Sequence, residues 1–411
     1  MIKPDTKLST ELDRCVMCGL CLPHCPTYQQ TQNEAESPRG RISLIKALHQ
    51  HKLPLDDTLE NHLNNCLTCR ACEAACPSGV NYAYLIDQSK HLIQEQRPPA
   101  TPKLVRFALD QLLKPRSHLK RLSMLLWLYQ KSGIRKLCQI FGLFRGSTSL
   151  KRLDGYLPSP QRPARWKTYY APISSHKKDV ALFLGCASEN IDPDTLRASI
   201  KLLTQLGYGV HIPKTQGCCG ALHQHRGEQT PASMLMQNNI AAFSNYDDII
   251  SIATGCTSML SEYPQYTDTP AAWRVKDLFA FLIEEDALAS VAFRPLAQRI
   301  AVHTPCSQRN SLKLKGITQQ LLQHIPQLEL HDLSSNHICC GAAGSYMLSH
   351  PDMADTLREK KLDDIQTIAP DCIVSTNIGC ALHISAGLKG QKKNIPVLHP
   401  VALLSQQVIS T

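Results

Sequence analysis

No run of apolar residues in this chain approaches the roughly 18 needed to cross a bilayer as a helix. The opening stretch MIKPDTKLSTELDR lacks the apolar core of a secretory signal. A cytoplasmic protein is expected, resting at most on the inner face of the cytoplasmic membrane. No GxGxxG turn follows a strand-like run, no Walker phosphate loop occurs, and no CxxCH offers covalent haem attachment. Flavin, nicotinamide and nucleotide sites are therefore not expected on this chain. Aromatic residues make up only 6% of it. Those in its most basic stretch are not spaced as base-stacking platforms, which sets nucleic acid aside as a partner. Acidic residues are scarce in one place: between Arg97 and Lys178, 18 Lys and Arg face two acids, Asp110 and Asp154. That segment is near +16, and the rest of the chain is near −6. Such a stretch suits an anionic membrane surface or an acidic partner.

What the chain does have is cysteine, 18 in 411 residues. Without a secretory signal, metal ligation is a better reading than disulfides. Eight cysteines precede residue 77 and nine follow residue 185, with Cys138 alone between them as an ordinary thiol. The first eight form two runs of one pattern: Cys15, Cys18, Cys21, Cys25-Pro26 and Cys66, Cys69, Cys72, Cys76-Pro77. This is the spacing by which bacterial ferredoxins hold 4Fe–4S clusters. Cysteines two residues apart let a curled loop aim three thiolates at one cube, while the fourth points away to the other cube. The expected sets are Cys15, Cys18, Cys21 and Cys76 for one cluster, and Cys25, Cys66, Cys69 and Cys72 for the other. The proline turns the chain outward because it has no N–H to donate. Gly19 and Ala71 are small, which suits backbone packed against a cluster. Zinc is the competing reading, but its structural sites use paired CxxC units, and two complete runs favour iron–sulfur.

The chain reads as a multidomain α+β protein. Residues 1–95 form a mainly helical ferredoxin-type domain. SPRGRISLIKALHQ is a helix with Pro38 near its start and Ile42, Ile45 and Leu48 on one face, and DTLENHLNN is a second. Residues 96–178 form a basic helical connector with two extended proline-rich stretches, RPPATPK and LPSPQRPAR. Between these, Leu119, Leu122, Leu125, Leu126 and Tyr129 fall at helical spacing among Lys120, Arg121, Lys131, Arg135 and Lys136. Two readings stand: a helix docked on its own protein, or a basic amphipathic helix at a membrane or partner.

Residues 179–290 and 291–411 are two copies of one unit. Equivalent cysteines lie 120 residues apart (Cys186 and Cys306), then 121 (Cys218 and Cys339), then 124 (Cys256 and Cys380). Strand-like runs alternating with helical ones predict a parallel sheet in each copy, with the cysteines at strand ends. The sets are Cys186, Cys218, Cys219 and Cys256, then Cys306, Cys339, Cys340 and Cys380. They offer places for further clusters, or else buried thiols lining a cleft. Among the histidines, His303 and His337 read as structural, and His223 and His225 as solvent-exposed.

The GCCG and ICCG segments resemble the cysteine-rich CCG domain of heterodisulfide reductase subunits. That pattern ends CxxC, whereas here CTSM and CALH put Met259 and His383 in the last place. His383 reads either as a substitute ligand or as an ordinary surface or core histidine. Taken together, SPRGRISLIK, CLTCRACEAACPSGV, GCCGA, CCGAAGSY and NIGCALH resemble the iron–sulfur subunit of bacterial glycolate oxidase. A wider group shares the first three of these, including the iron–sulfur subunits for lactate and anaerobic glycerol 3-phosphate oxidation, while the later ones lean towards glycolate oxidase. The resemblance implies two 4Fe–4S clusters, FAD-binding dehydrogenase subunits as partners, and oxidation of glycolate to glyoxylate there. Electrons would pass one at a time to a membrane acceptor, with quinone expected. Arg39 and Arg41 would tune the clusters or form salt bridges at the helix start. A redox sensor or structural metal scaffold is the reading from another class.

Overall fold

The computed structural model describes residues 6–97, 103–141, 148–269, 271, 273–289 and 291–409. Helices Thr6–Asp13, Pro38–His49, Asp57–Asn64 and Tyr82–Gln96 close around Leu8, Leu12, Ile45, Leu63, Leu85 and Ile86. Both expected helices are present, and their caps explain where they start. Ser37 Oγ accepts the Gly40 N–H at 2.9 Å, with Pro38 next to the cap. Asp56 accepts the Leu59 N–H at 2.8 Å. Gly40 is required by space, because a Cβ there would lie 1.9 Å from the Glu34 carbonyl oxygen.

The basic connector forms helices Lys103–Leu112, Arg116–Lys131, Ile134–Ile140 and Thr148–Tyr156. Residues 157–165 have no regular structure, as their prolines predict. Most of the other proline-rich stretch, 98–102, lies outside the described residues. Helix Arg116–Lys131 fits both sequence readings. On one side, Arg116 grips the buried Glu189 with two bonds of 2.8 and 2.5 Å, and Lys120 adds a third contact at 3.2 Å. On another, Leu122, Met124, Leu125 and Leu128 are exposed, Leu125 by 62%.

Two sheets of the same order follow. Strands β1 (Tyr169–Tyr170), β2 (Lys178–Phe183), β3 (Tyr208–His211), β4 (Asp248–Ser251) and β5 (Arg274–Asp277) form the first, in the order β1-β3-β2-β4-β5. Strands β6 (Gln298–His303), β7 (Leu328–Asp332), β8 (Cys372–Ser375) and β9 (Val397–Leu398) form the second, in the order β7-β6-β8-β9. All pairings are parallel except β1 with β3, where the connector's end adds an antiparallel edge. β4 and β8 are buried throughout, as strands covered on both faces must be. The register repeats: Phe183 pairs with Ser251 in the first sheet, and His303 with Ser375 in the second. The two repeats share one apolar core. Helix Pro400–Gln407, which follows the second sheet, packs on Pro193–Gln205 of the first repeat, joining Val401 and Leu404 to Leu196 and Leu203.

Candidate metal centres

Each ferredoxin-type loop bends through the left-handed region at two matching positions. Met17 (φ 58°) and Gly19 (φ 85°) curl the first loop, and Thr68 (φ 48°) and Arg70 (φ 58°) the second. This conformation is costly for non-glycine residues and is kept where it positions something. Here it turns three cysteines of each run inward. One recess, of about 440 Å³, is lined by Cys15, Cys18, Cys21, Cys72 and Cys76. A second, of about 300 Å³, is lined by Cys25, Cys66, Cys69 and Cys72. The fourth cysteine of each run thus reaches the recess of the other, and Cys72 borders both.

The electrostatics suit a metal. Burial pushes the Cys72 thiol well above its ordinary range, with Cys69, Cys66 and Cys25 adding to the shift. Burial and then Cys306 raise Cys69 in the same way, and burial raises Cys21. Thiols so placed ionise only against positive charge, which bound iron supplies. Donors already point at the sulfurs: Thr68 N–H reaches Cys66 Sγ at 3.4 Å, and the Tyr82 hydroxyl reaches it at 3.8 Å.

An arginine borders each recess. Arg39 lines the first, donating to Glu34 at 2.6 Å and to the Met17 carbonyl at 3.2 Å. Arg41 lines the second and is 1% exposed. It donates to the His62 carbonyl at 2.7 Å, to Thr27 Oγ1 at 3.1 Å and to the buried Glu36. Burial opposes its charge, but Tyr82, Cys66, Cys25 and Glu36 outweigh burial and keep it protonated. Each arginine thus makes the salt bridge that one sequence reading expected, and each puts positive charge beside a recess.

Eight of the nine later cysteines lie beyond the carboxyl ends of the strands, as the sequence predicts, and Cys372 is the first residue of β8. Cys186 follows β2 and lies 3.5 Å from Cys218 (Sγ–Sγ), in the loop after β3. Cys219 is in the same loop, and Cys256 is in helix Thr254–Ser261 after β4. In the second repeat Cys306 follows β6, Cys339 and Cys340 follow β7, and Cys380 is in helix Ile378–Gly390 after β8. The Cys340 and Cys380 sulfurs are 2.9 Å apart. Gly341 (φ 88°) has no room for a Cβ, which would sit 2.4 Å from the Ala354 carbonyl oxygen.

The two residues that replace the last cysteine are both buried. Met259 lies in one apolar cluster with Phe183, Tyr263 and the first repeat's own Cys218 and Cys219. His383 is a core histidine, with Nδ1 3.1 Å from the Tyr156 hydroxyl and Nε2 3.1 Å from the Ala354 carbonyl oxygen. Burial pushes it down to about 4, so it is neutral. His337 is exposed and bonds the Ser334 carbonyl. Two expectations need correction. His223 is not solvent-exposed but 1% exposed, paired with Glu228 at 2.6 Å. His225 is half-buried against Asp87 at 3.2 Å. Both residues sit where the ferredoxin-type module docks on the first repeat. Lys90 donates to the His225 carbonyl at 3.1 Å and Gln94 to the Arg226 carbonyl at 2.9 Å. Sequence spacing carries no trace of such a contact.

The second loop docks on the second repeat. Asn310 Nδ2 donates to the Cys69 carbonyl at 2.7 Å, and Arg70 bonds Ser311 and Glu262. Leu67 and Cys69 pack with Cys306, Cys339, Tyr346 and Leu357.

Residues 11–80 match the 4Fe-4S dicluster domain, and residues 180–261 and 300–385 each match the Cysteine-rich domain. The class is thus an iron–sulfur protein, with two 4Fe–4S clusters in a ferredoxin-type module ahead of a duplicated cysteine-rich unit. The probable glycolate oxidase iron-sulfur subunit of Bacillus subtilis is 32% identical to it over 96% of this chain and 93% of its own length. The glycolate oxidase iron-sulfur subunit of Escherichia coli is 33% identical over 91% of this chain and 90% of its own length. Lactate utilization protein A of Bacillus velezensis is 26% identical and covers 56% of this chain. The chain belongs to the family of glycolate oxidase iron–sulfur subunits, and its role is electron transfer.

Proposed function

We propose that this chain carries electrons for an oxidase complex acting on a 2-hydroxy acid, glycolate, from flavin-binding partner subunits to quinone at a membrane. Cys15, Cys18, Cys21 and Cys76 hold one cluster, and Cys25, Cys66, Cys69 and Cys72 the other. The observation that carries this reading is the pair of recesses, each drawing cysteines from both runs. When bound, such clusters pass single electrons, matching a flavin donor to a distant acceptor.

The chain's own residues set the direction. Around the first recess Val16, Met17 and Leu20 are 68%, 47% and 56% exposed, an apolar rim suited to a docking flavin subunit. The loop beside the second recess is packed on the second repeat. Arg39 and Arg41 place positive charge at the two recesses, which favours the reduced clusters. In the connector, Leu125, Leu128, Leu137 and Ile140 are exposed beside Arg121, Lys131 and Lys136, the pairing that binds an anionic bilayer surface. Among the described residues no helix is long and apolar enough to cross a membrane. Glycolate is preferred to lactate because the relatives named for glycolate match nearly the whole chain, and those named for lactate about half.

The test is to purify the tagged chain anaerobically from its native host. A flavoprotein should co-purify, and glycolate should bleach the clusters through it. Bleaching by lactate alone would move the substrate, and the absence of any flavoprotein would remove the reading.

A further inference from the structure

We propose that electrons leave the chain in the cavity where the ferredoxin-type module meets both repeats, and that this cavity takes a quinone headgroup beside Cys66, an inference resting on the electron-carrying role proposed above. The cavity holds about 1350 Å³ and draws its walls from all three units. Cys66 and Lys90 come from the module, Leu222 and His225 from the first repeat, and Tyr346 and His350 from the second. Cys66 also borders the second recess, so a ligand of the interior cluster forms part of the cavity wall.

Burial decides what kind of acceptor can come close. Cys25, Cys66 and Cys72 are 7%, 9% and 8% exposed. The loop that carries Cys69 is packed on Cys306 and bonded by Asn310. These buried cysteines offer a partner protein little surface to dock on, whereas a small molecule can enter through the cavity. Gly344 and Ser349, both exposed, lie on its wall, so the space communicates with water.

The walls suit a planar ring that gains negative charge. The rings of Tyr346 and His350 are stacked, with centroids 4.3 Å apart and planes 13° from parallel, and make a flat surface for a further ring. Ile93, Leu222 and Leu348 supply apolar wall for its substituents. Of the charged side chains on the wall, Lys90, Arg97 and Arg226 are cationic and Glu60 alone is acidic. Lys90 is 8% exposed and donates to the His225 carbonyl at 3.1 Å. It lies within electrostatic reach of both Cys66 and His350. An ammonium held away from water steadies charge developing on a quinone oxygen far better than a solvated one does. His225 gives Nδ1 to Asp87 at 3.2 Å, and His350 gives Nδ1 to Ser349 Oγ at 2.8 Å, so Nε2 is what each offers a carbonyl oxygen. The two electrons that glycolate oxidation releases arrive singly. With two protons from water at the cavity mouth, they convert the two carbonyls of the quinone to the two hydroxyls of the quinol. A second cavity of similar size, about 1280 Å³, is lined by Met234 and Gln237 but by no cysteine, and serves as the built-in control.

The experiment uses the full chain with its partner subunits, purified without oxygen. A short-chain quinone bearing an azide is photolysed on the complex and the labelled peptides are mapped. Label should fall within residues 222–226 and 343–350, and excess unmodified quinone should remove it. Leu222→Trp, which fills the cavity, should lower kcat/KM for quinone about tenfold or more with both cube signals intact. Met234→Trp, in the control cavity, should match the wild type. If Leu222→Trp does not fold, Leu348→Trp replaces it, and labelling of the wild type is read without either. Label confined to other peptides, or label that unmodified quinone does not displace, overturns the site. So does a folded Leu222→Trp that reduces quinone as the wild type does, and in each case a wild-type complex that still reduces quinone keeps the acceptor. A wild-type complex that glycolate bleaches but that passes nothing to quinone overturns the site and the quinone acceptor together.

Discussion

Val16 and Leu20 of the first ferredoxin-type loop are 68% and 56% exposed, whereas their counterparts in the second, Leu67 and Ala71, are 4% and 7% exposed. The two loops share every cysteine and the same left-handed turns, so the difference comes from outside the motif. The second cysteine-rich repeat covers one loop, through Asn310, Ser311 and Tyr346, and leaves the other open. The arginines follow suit. Arg41 beside the covered loop is buried with its carboxylate, while the pair of Arg39 with Glu34 faces water. One motif used twice thus yields a cluster site at the surface and one in the interior, as a conduit with a docking end requires.

The largest effect that would break this contrast is at Arg41. Arg41→Met leaves Glu36 buried without its cation and should destabilise the module by about 3–5 kcal/mol, read as a lowered thermal midpoint. Arg39→Met should leave that midpoint where it is. If the two variants melt alike, the loops are not differently buried. Next comes docking. Leu20→Asp should slow cluster reduction by the flavin partner about tenfold, a loss of ~1.4 kcal/mol in the association it depends on. Cluster content should stay unchanged, and unaltered kinetics would place the docking surface elsewhere. The smallest effect is chemical. Under limiting ferricyanide, the cluster of the open loop should degrade several-fold sooner than that of the covered loop, followed by its resonance signal. Equal decay would mean the second repeat gives no protection.

Much of this was legible in the sequence, for identifiable reasons. Thiolate spacing is dictated by the shape of a cube, so the two runs announce their recesses. The duplicated order of cysteines announces two like sheets. Helices Pro38–His49 and Asp57–Asn64 are signalled by Ser37, Pro38 and Asp56, whose caps are local. What spacing could not carry were contacts made across the fold. Thr68 and Arg70 adopt left-handed conformations that nothing in their side chains predicts. His223 and His225 sit in polar sequence, yet His223 is buried against Glu228 and His225 is half-buried against Asp87 of the docked module. His303, read as structural, is buried and bonded to Ser375 Oγ across the sheet. That helix Pro400–Gln407 closes the first repeat's core was likewise invisible, since its apolar face names no partner.

The crossing of ligands between the two runs is best tested by the reduced-state electron paramagnetic resonance of Cys76→Ser, set beside Cys18→Ser and Cys69→Ser. The account predicts that Cys76→Ser perturbs the same signal as Cys18→Ser and leaves the one altered by Cys69→Ser intact. A Cys76→Ser spectrum that instead matches Cys69→Ser would mean each run closes its own cluster, and the crossed conduit would fall.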